Sequence, residues 1–158
     1  WGMQIFTVCN GGQVKKNLKG REIGIAHNIT LNRQGSSHPL YSKKPKIFDA
    51  FASHVDHIIT LPSNSRVLAD NHYSIQALSS TKFWGTQYHP EFNFKYTGQI
   101  MNARKKILLE ENLFSKNQIE KLIKDFKKPT SESYSKSIYD FRVRTLELAN
   151  WLNWIRPD

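Results

Sequence analysis

The chain is poor in cysteine and acid. It has one Cys, two Met and six Pro in 158 residues, and 13 Asp/Glu stand against 23 Lys/Arg. A single cysteine excludes an intrachain disulfide and fits a reducing compartment. No apolar run approaches the ~20 residues that span a bilayer, and no secretory signal is visible. The expected location is the cytoplasm, with no membrane partner. No zinc-ligand set, RNP-like aromatic pattern or helix-turn-helix spacing supports a nucleic-acid partner. No glycine-rich phosphate cradle is present either. His54 and His57 stand at metal-pair spacing, but no third ligand accompanies them. Neither a metal nor another cofactor is expected.

What is present begins with charge. The net charge is +10, a balance that suits nucleic acid or another anionic partner. The excess is uneven: residues 14–46 hold eight Lys/Arg and one acid, Glu22. The blander reading is solvated surface, since Lys43-Lys44-Pro45-Lys46 is a loop by its Pro and Ser neighbours. The apolar fraction of 39%, with 12% aromatics, is enough for a core.

Along the chain, residues 1–9 read as a helix stopped by Asn10-Gly11-Gly12. Cys9 is expected to be a small buried residue of that helix. Residues 23–31 alternate apolar with small or polar side chains, as a strand does, and 32–45 are loop-like. Residues 47–53 lead into the Ser53-His54 corner. Val55–Leu61 reads as a short strand or turn closed by Pro62, Val67–Ala69 and Tyr73–Leu78 as strands, and Phe83–Tyr88 as a buried strand. After Phe92 the spacing of Tyr96, Ile100, Ala103 and Ile107 is helical. Residues 115–127 form a second helix, with Ser115 as N-cap and Gln118 three residues on. A polar linker, 129–137, leads to a terminal helix over 138–155, whose apolar face would include Ile138, Phe141, Leu146, Ala149, Trp151 and Leu152. Two units follow: residues 1–110, part of an α/β domain, and 111–158, a helical extension that either packs back on the sheet or serves an oligomer contact. His27, His38 and His72 have no evident partners.

The chemistry concentrates in Gly85-Thr-Gln-Tyr-His-Pro-Glu-Phe92. Phe83-Trp84 feeds into His89 and Glu91, a base and a carboxylate two residues apart at a strand end. The carboxylate can accept the proton of one ring nitrogen of His89, which fixes the tautomer and leaves the other nitrogen as a general base. Pro90 biases His89 away from helix. These are two members of a nucleophile–His–acid triad, and the nucleophile is missing.

Three blocks together resemble the class I glutamine amidotransferases, in their GMP-synthetase-like branch. Trp1-Gly2-Met3-Gln4 is similar to the end of the family's Gly-x-Cys-x-Gly-x-Gln motif. His89-Pro90-Glu91 is similar to its second motif, and Ser53-His54-Val55-Asp56 to its Ser-His-x-Asp loop. The likeness runs from residue 1 to about 106. It implies an α/β fold, the C-terminal part of a three-layer flavodoxin-like amidotransferase domain, followed here by the helical extension. It also implies that the catalytic cysteine falls immediately before Trp1, so that the chain, which opens without Met, is expected to be a fragment of a longer protein. Cys9 lies two helical turns from the strand–helix corner that a nucleophile elbow needs.

The implied reaction is hydrolysis of the glutamine side-chain amide through a thioester, with His89 as base and acid and Glu91 orienting it. By the same likeness, Trp1 supplies a backbone donor to the oxyanion. Gln4 binds the amino-acid end of the substrate, and Ser53, Val55 and Asp56 hold its carboxylate and ammonium groups, largely through the backbone. Many relatives have Gly or Gln where this chain has Val55, and a β-branched residue tolerates positive φ poorly. Glutamine is the implied small molecule, and an ammonia-accepting synthetase domain or subunit the implied partner. The other readings are a γ-glutamyl hydrolase or peptidase on the same scaffold, an anion-binding protein on charge alone, and a non-catalytic binding subunit. As a fragment lacking the cysteine, the chain is expected to be inactive and, with strand edges uncovered, prone to aggregate.

Overall fold

Trp1 caps helix α1 (Gly2–Cys9). The helix stops at the predicted glycines: Gly11 adopts φ +80, a left-handed turn that glycine enters without penalty, and Gly12 N donates to Thr7 O at 2.8 Å. Residues 1–156 are described by a computed structural model. The helix buries Met3 and Thr7, one turn apart, against the sheet. Cys9 falls on the opposite side and is exposed, which corrects the expected burial. Two residues past Thr7 is about 200° around the helix.

Seven strands follow: β1 (Gln13–Lys16), β2 (Glu22–Leu31), β3 (Ile47–His54), β4 (Asp56–Thr60), β5 (Arg66–Asp70), β6 (Ile75–Ser80) and β7 (Phe83–Thr86). β1 and β4 form a two-stranded ribbon, and the others form a five-stranded sheet in the order β3-β2-β5-β6-β7. Every one of these pairings is antiparallel. The sheet curls strongly. His89 lies three residues past edge strand β7, yet its backbone N donates to Phe51 O on the opposite edge strand, β3, at 2.7 Å.

Strand β2 serves both faces of this sheet. Ile23 and Ile25 pack into one apolar cluster, with Phe51, Phe94 and Met101. Ala26, Ile29 and Leu31 pack into the other, with Phe48, Leu68 and Tyr88. Strict alternation would put Ile29 and Leu31 with Ile23 and Ile25. The register shifts between Ala26 and Ile29, and Asn28 there takes φ 54. One bulge thus switches which side chains face which core.

The predicted helices after Phe92 appear as α2 (Phe94–Ala103), α3 (Lys105–Glu110) and α4 (Lys116–Lys127). Ser115 caps the last of these, and Gln118 completes the capping box, as the spacing predicts. Ile119, Ile123 and Phe126 join the core cluster of Phe51 and Met101, so this part of the chain packs back against the sheet.

Three expectations are corrected. The segment 32–45 holds a helical turn at Arg33–Ser36 and a 3-10 turn at Pro39–Tyr41, and Lys44 is buried rather than solvated. β7 is half-buried, being an edge strand paired on one side to β6; the fully covered residues are the next two, Gln87 and Tyr88. The terminal helix is three pieces, α5 (Lys136–Tyr139), α6 (Phe141–Arg144) and α7 (Leu146–Ile155). The Asp140 carboxylate accepts the backbone N–H groups of Arg142 and Val143, so it restarts the helix instead of continuing it. Of the predicted apolar face only Ile138 is buried; Arg144 and Glu147 are buried instead.

Among the described residues, no helix is long and apolar enough to cross a membrane. On α1, Trp1, Ile5 and Val8 are exposed, Trp1 at 93%. Beside them, β7 ends the sheet with one edge unpaired among the described residues. The 158-residue chain on its own is therefore expected to self-associate at micromolar concentration. Sedimentation velocity checks this, and a soluble monomer with a cooperative melt would contradict it.

Candidate active site

His89 stands where the chain leaves β7 and turns toward α2. Its backbone is fixed on both sides: its N–H reaches Phe51 O at 2.7 Å, and its carbonyl accepts Phe92 N at 3.2 Å. The Phe92 ring lies flat on the imidazole, 4.0 Å between centroids and 9° between planes. Tyr96 braces Phe92 edge-on at 4.8 Å. The ring has little freedom left.

Glu91 supplies the expected partner. His89 Nδ1 donates to Glu91 Oε1 at 2.7 Å, so in the neutral tautomer this bond selects, the proton sits on Nδ1 and Nε2 is the free acceptor. Partial burial is the largest single influence and works to raise the Glu91 pKa. The hydrogen bonds from His89 and the backbone, with nearby positive charge, together outweigh it, and the carboxyl titrates below its ordinary value.

A cleft of about 610 Å³ opens beside this pair. Its lining brings together Trp1, Gln4, Ser53, Val55, Asp56 and His89, residues from separate parts of the sequence. Glu91 stands behind His89 and is not among the lining residues. Gln4, on the first turn of α1, points its amide across the floor: Nε2 lies 3.4 Å from Gln87 Oε1 and 3.5 Å from Asp56 O. Gln87 Nε2 also reaches Asp56 O, at 3.4 Å. These are long contacts between groups able to exchange one another for a polar ligand.

The Ser53–Asp56 corner joins β3 to β4. Val55 is not among the residues with positive φ, so its branched side chain is unstrained there. Its carbonyl accepts Asn17 N at 2.9 Å, which pins the corner to the end of β1. Ser53 Oγ accepts a hydrogen bond from Arg104 Nη1 at 2.8 Å. His54 turns inward. Its Nε2 donates to Glu22 Oε2 at 2.8 Å, and Glu22 also accepts from Gln76 at 2.7 Å and Asn71 at 2.6 Å. This buried network anchors the corner from behind, and Glu22, the lone acid of the basic segment, is its hub.

Several residues in the cleft carry no signal in the sequence. Spacing marks Gln87 only as strand. It marks Arg104 only as helix surface, yet Arg104 lines the cleft with Arg21. The guanidinium of Arg21 is engaged by Glu111 at 2.9 and 3.0 Å, and that hydrogen bond raises its pKa. Cys9 also lines the cleft, at the far end of α1. The remaining histidines stand elsewhere. His27 lies 3.5 Å from Asp49, His38 caps the Pro39–Tyr41 turn through Leu40 N, and His72 packs edge-on to Tyr73. Among the described residues, no group of three or more His, Cys, Asp or Glu converges as a metal site would need.

Comparison with known proteins adds sequence and structural relatives. Residues 1–108 match the family Glutamine amidotransferase class-I. A Gamma-glutamyl-L-1-hydroxyisopropylamide hydrolase from Pseudomonas sp is 29% identical over 171 aligned residues, covering 97% of this chain and 58% of that protein. One subunit of the glutamine-hydrolyzing GMP synthase from Methanococcus aeolicus is 30% identical over 105 residues, covering 61% of this chain and 55% of that one. In structure, a glutamine amidotransferase from Thermotoga maritima superposes with a TM-score of 0.65 at 19% identity, over 96% of this chain and 58% of that chain. The chain thus spans somewhat over half the length of these relatives.

The depressed Glu91 pKa makes a pH prediction. Its folded value lies below the unfolded one, so the stabilisation is fully present above the ordinary carboxylate value. It is lost as pH falls through the depressed folded value. A ¹³C titration of the Glu91 carboxylate should show a midpoint below 4.5, and His89→Ala should return it toward that ordinary value.

Proposed function

The chain belongs to the class I glutamine amidotransferase family, and from that premise we propose that it is the C-terminal part of a cytoplasmic glutaminase. The fold is the C-terminal part of the family's three-layer flavodoxin-like α/β architecture, followed by a helical extension. In this reading residues 1–110 form the amidotransferase part and 111–158 the extension. The full protein hydrolyses the side-chain amide of glutamine to glutamate and ammonia through a Cys-His-Glu triad. His89 and Glu91 are two members, and the cysteine precedes Trp1. The observation that carries the reading is the His89–Glu91 hydrogen bond of 2.7 Å at the wall of the 610 Å³ cleft.

The steps follow from the placement of the groups. The thiol gives its proton to Nε2 of His89, and the thiolate attacks the amide carbon. Negative charge on the carbonyl oxygen is met by backbone donors at the start of α1, beginning at Trp1. The imidazolium, stabilised by Glu91, then protonates departing ammonia. Water attacks the thioester with His89 again as base. Gln4 and the Ser53-Val55-Asp56 corner hold the amino-acid end of the substrate. Arg104, bonded to Ser53, adds a cation beside that corner for the α-carboxylate.

Two fates for the product are open to the same triad. The Methanococcus aeolicus relative is named as one subunit of a glutamine-hydrolyzing GMP synthase. That name supports, as partner, an ammonia-accepting synthetase domain or subunit. A second reading is hydrolysis of other γ-glutamyl amides. The Pseudomonas hydrolase supports it, because its alignment continues through the extension.

The test is to express the longer protein with its upstream segment and measure release of glutamate from glutamine and from γ-glutamyl alkylamides. Glutaminase turnover is expected, and His89→Ala should lower kcat by about 10²–10⁴-fold. Preference for γ-glutamyl alkylamides would select the second reading. No turnover of either class, or a reading frame without Gly-x-Cys before Trp1, would leave a non-catalytic binding subunit. The 158-residue chain alone is expected to be inactive.

A further inference from the structure

The catalytic reading of His89 leaves one buried cluster unused. Lys44 and Glu147 are 1% and 2% exposed and lie 2.9 Å apart. Lys44 also donates to Val143 O at 2.8 Å, and its ammonium sits over the Phe48 ring. Glu147 has a second partner: the Tyr88 hydroxyl donates to its Oε1 at 2.5 Å. Tyr88 is the residue immediately before His89. Its single proton is spent on Glu147, so the Tyr41 hydroxyl, 2.9 Å away, donates to Tyr88 in turn. Burial and the Glu147 charge hold both phenols far above their ordinary pKa, and they stay neutral donors.

The same helix touches the chain on either side of Tyr88. Trp154 packs on Trp84 of β7, with centroids 5.0 Å apart. Glu147 and Leu148 line a small cavity with Thr86 and Pro90. The Tyr88 backbone is held as well, its carbonyl accepting Thr86 Oγ1 at 3.0 Å. Helix α7 therefore grips the segment that carries His89 from Trp84 through Tyr88 to Pro90.

Stability alone is a weak reason for such a cluster. A buried ion pair often contributes no more than apolar side chains of the same volume would. What the pair does that apolar residues cannot is fix one orientation: Glu147 accepts from Tyr88 while Lys44 holds the carboxylate in place. We propose that Glu147 is a positioning residue for His89, acting through the Tyr88 hydroxyl, so that the C-terminal helix sets the geometry of the catalytic base. The proposal rests on the catalytic reading of His89. It assigns the extension a part in turnover.

The test uses the longer, cysteine-containing protein. Lys44→Met combined with Glu147→Leu removes both charges and the acceptor of Tyr88 while keeping the volume. It should remain folded, yet lower kcat on glutamine on the order of ten- to a hundredfold, with KM within about twofold. The His89 imidazole ¹⁵N signals should move as well, away from the single Nδ1-protonated tautomer. Tyr88→Phe removes one hydroxyl and no charge; it should give the same two changes, and it decides the matter if the double variant fails to fold. Parental kcat and parental His89 signals in a folded variant would overturn the proposal. A parent inactive on every γ-glutamyl amide would defeat the catalytic reading instead, and the His89 signals would still decide whether Glu147 positions the ring.

Discussion

Lys44 and Glu147, 103 residues apart in sequence, share one buried contact beneath the last strand of the sheet. Each charge alone would be very costly to bury; together, with Tyr88 donating to Glu147 and the carbonyl of Val143 accepting from Lys44, they are satisfied. Two distant parts of the chain must therefore be in place at once: the basic loop before β3 and the start of α7. Between them lies the segment that ends in His89. The orientation of that segment depends on both, and so does the orientation of the imidazole.

The curl of the sheet makes this arrangement possible. A flat five-stranded sheet would put β3 and β7 at opposite ends, some 19 Å apart at ~4.8 Å per strand. Here the chain leaving β7 reaches β3 and hydrogen-bonds Phe51. Strong twist and the bulge at Asn28 bring the edges together. The cleft is the result. One wall is the corner after β3, another the residues after β7, and α1 lies across the opening. Glu22, His54, Gln76 and Asn71 fill the inside of the curl with hydrogen bonds, so the polar corner does not collapse into the core.

Much of this was legible in the residues themselves. The helix stop at Asn10-Gly11-Gly12 and the capping box of Ser115 and Gln118 depend on neighbours within a few positions, and both appear where the spacing puts them. The His89–Glu91 contact is of the same kind, since two residues at one turn can meet without help from the rest of the fold. The misreadings share the opposite cause. Lys44 looked solvated because its partner is 103 residues away. The apolar stripe over 138–155 looked like a buried face because periodicity does not register that Asp140 restarts the helix and turns Glu147 inward. Cys9 looked buried from its residue type, but α1 has only one covered side.

The sequence by itself determined the local chemistry: a base and an acid two residues apart, the helix that follows Trp1, and a Ser-His-Val-Asp corner. These are set by backbone preferences and by side chains within reach of their own neighbours. Only the tertiary structure decided that Gln4, Ser53, Asp56, Gln87, His89 and Arg104 share one cleft. It alone decided that the C-terminal helix holds the residue before His89. Those outcomes depend on the curl of the sheet and on a buried charge pair, interactions between residues that no short-range pattern connects.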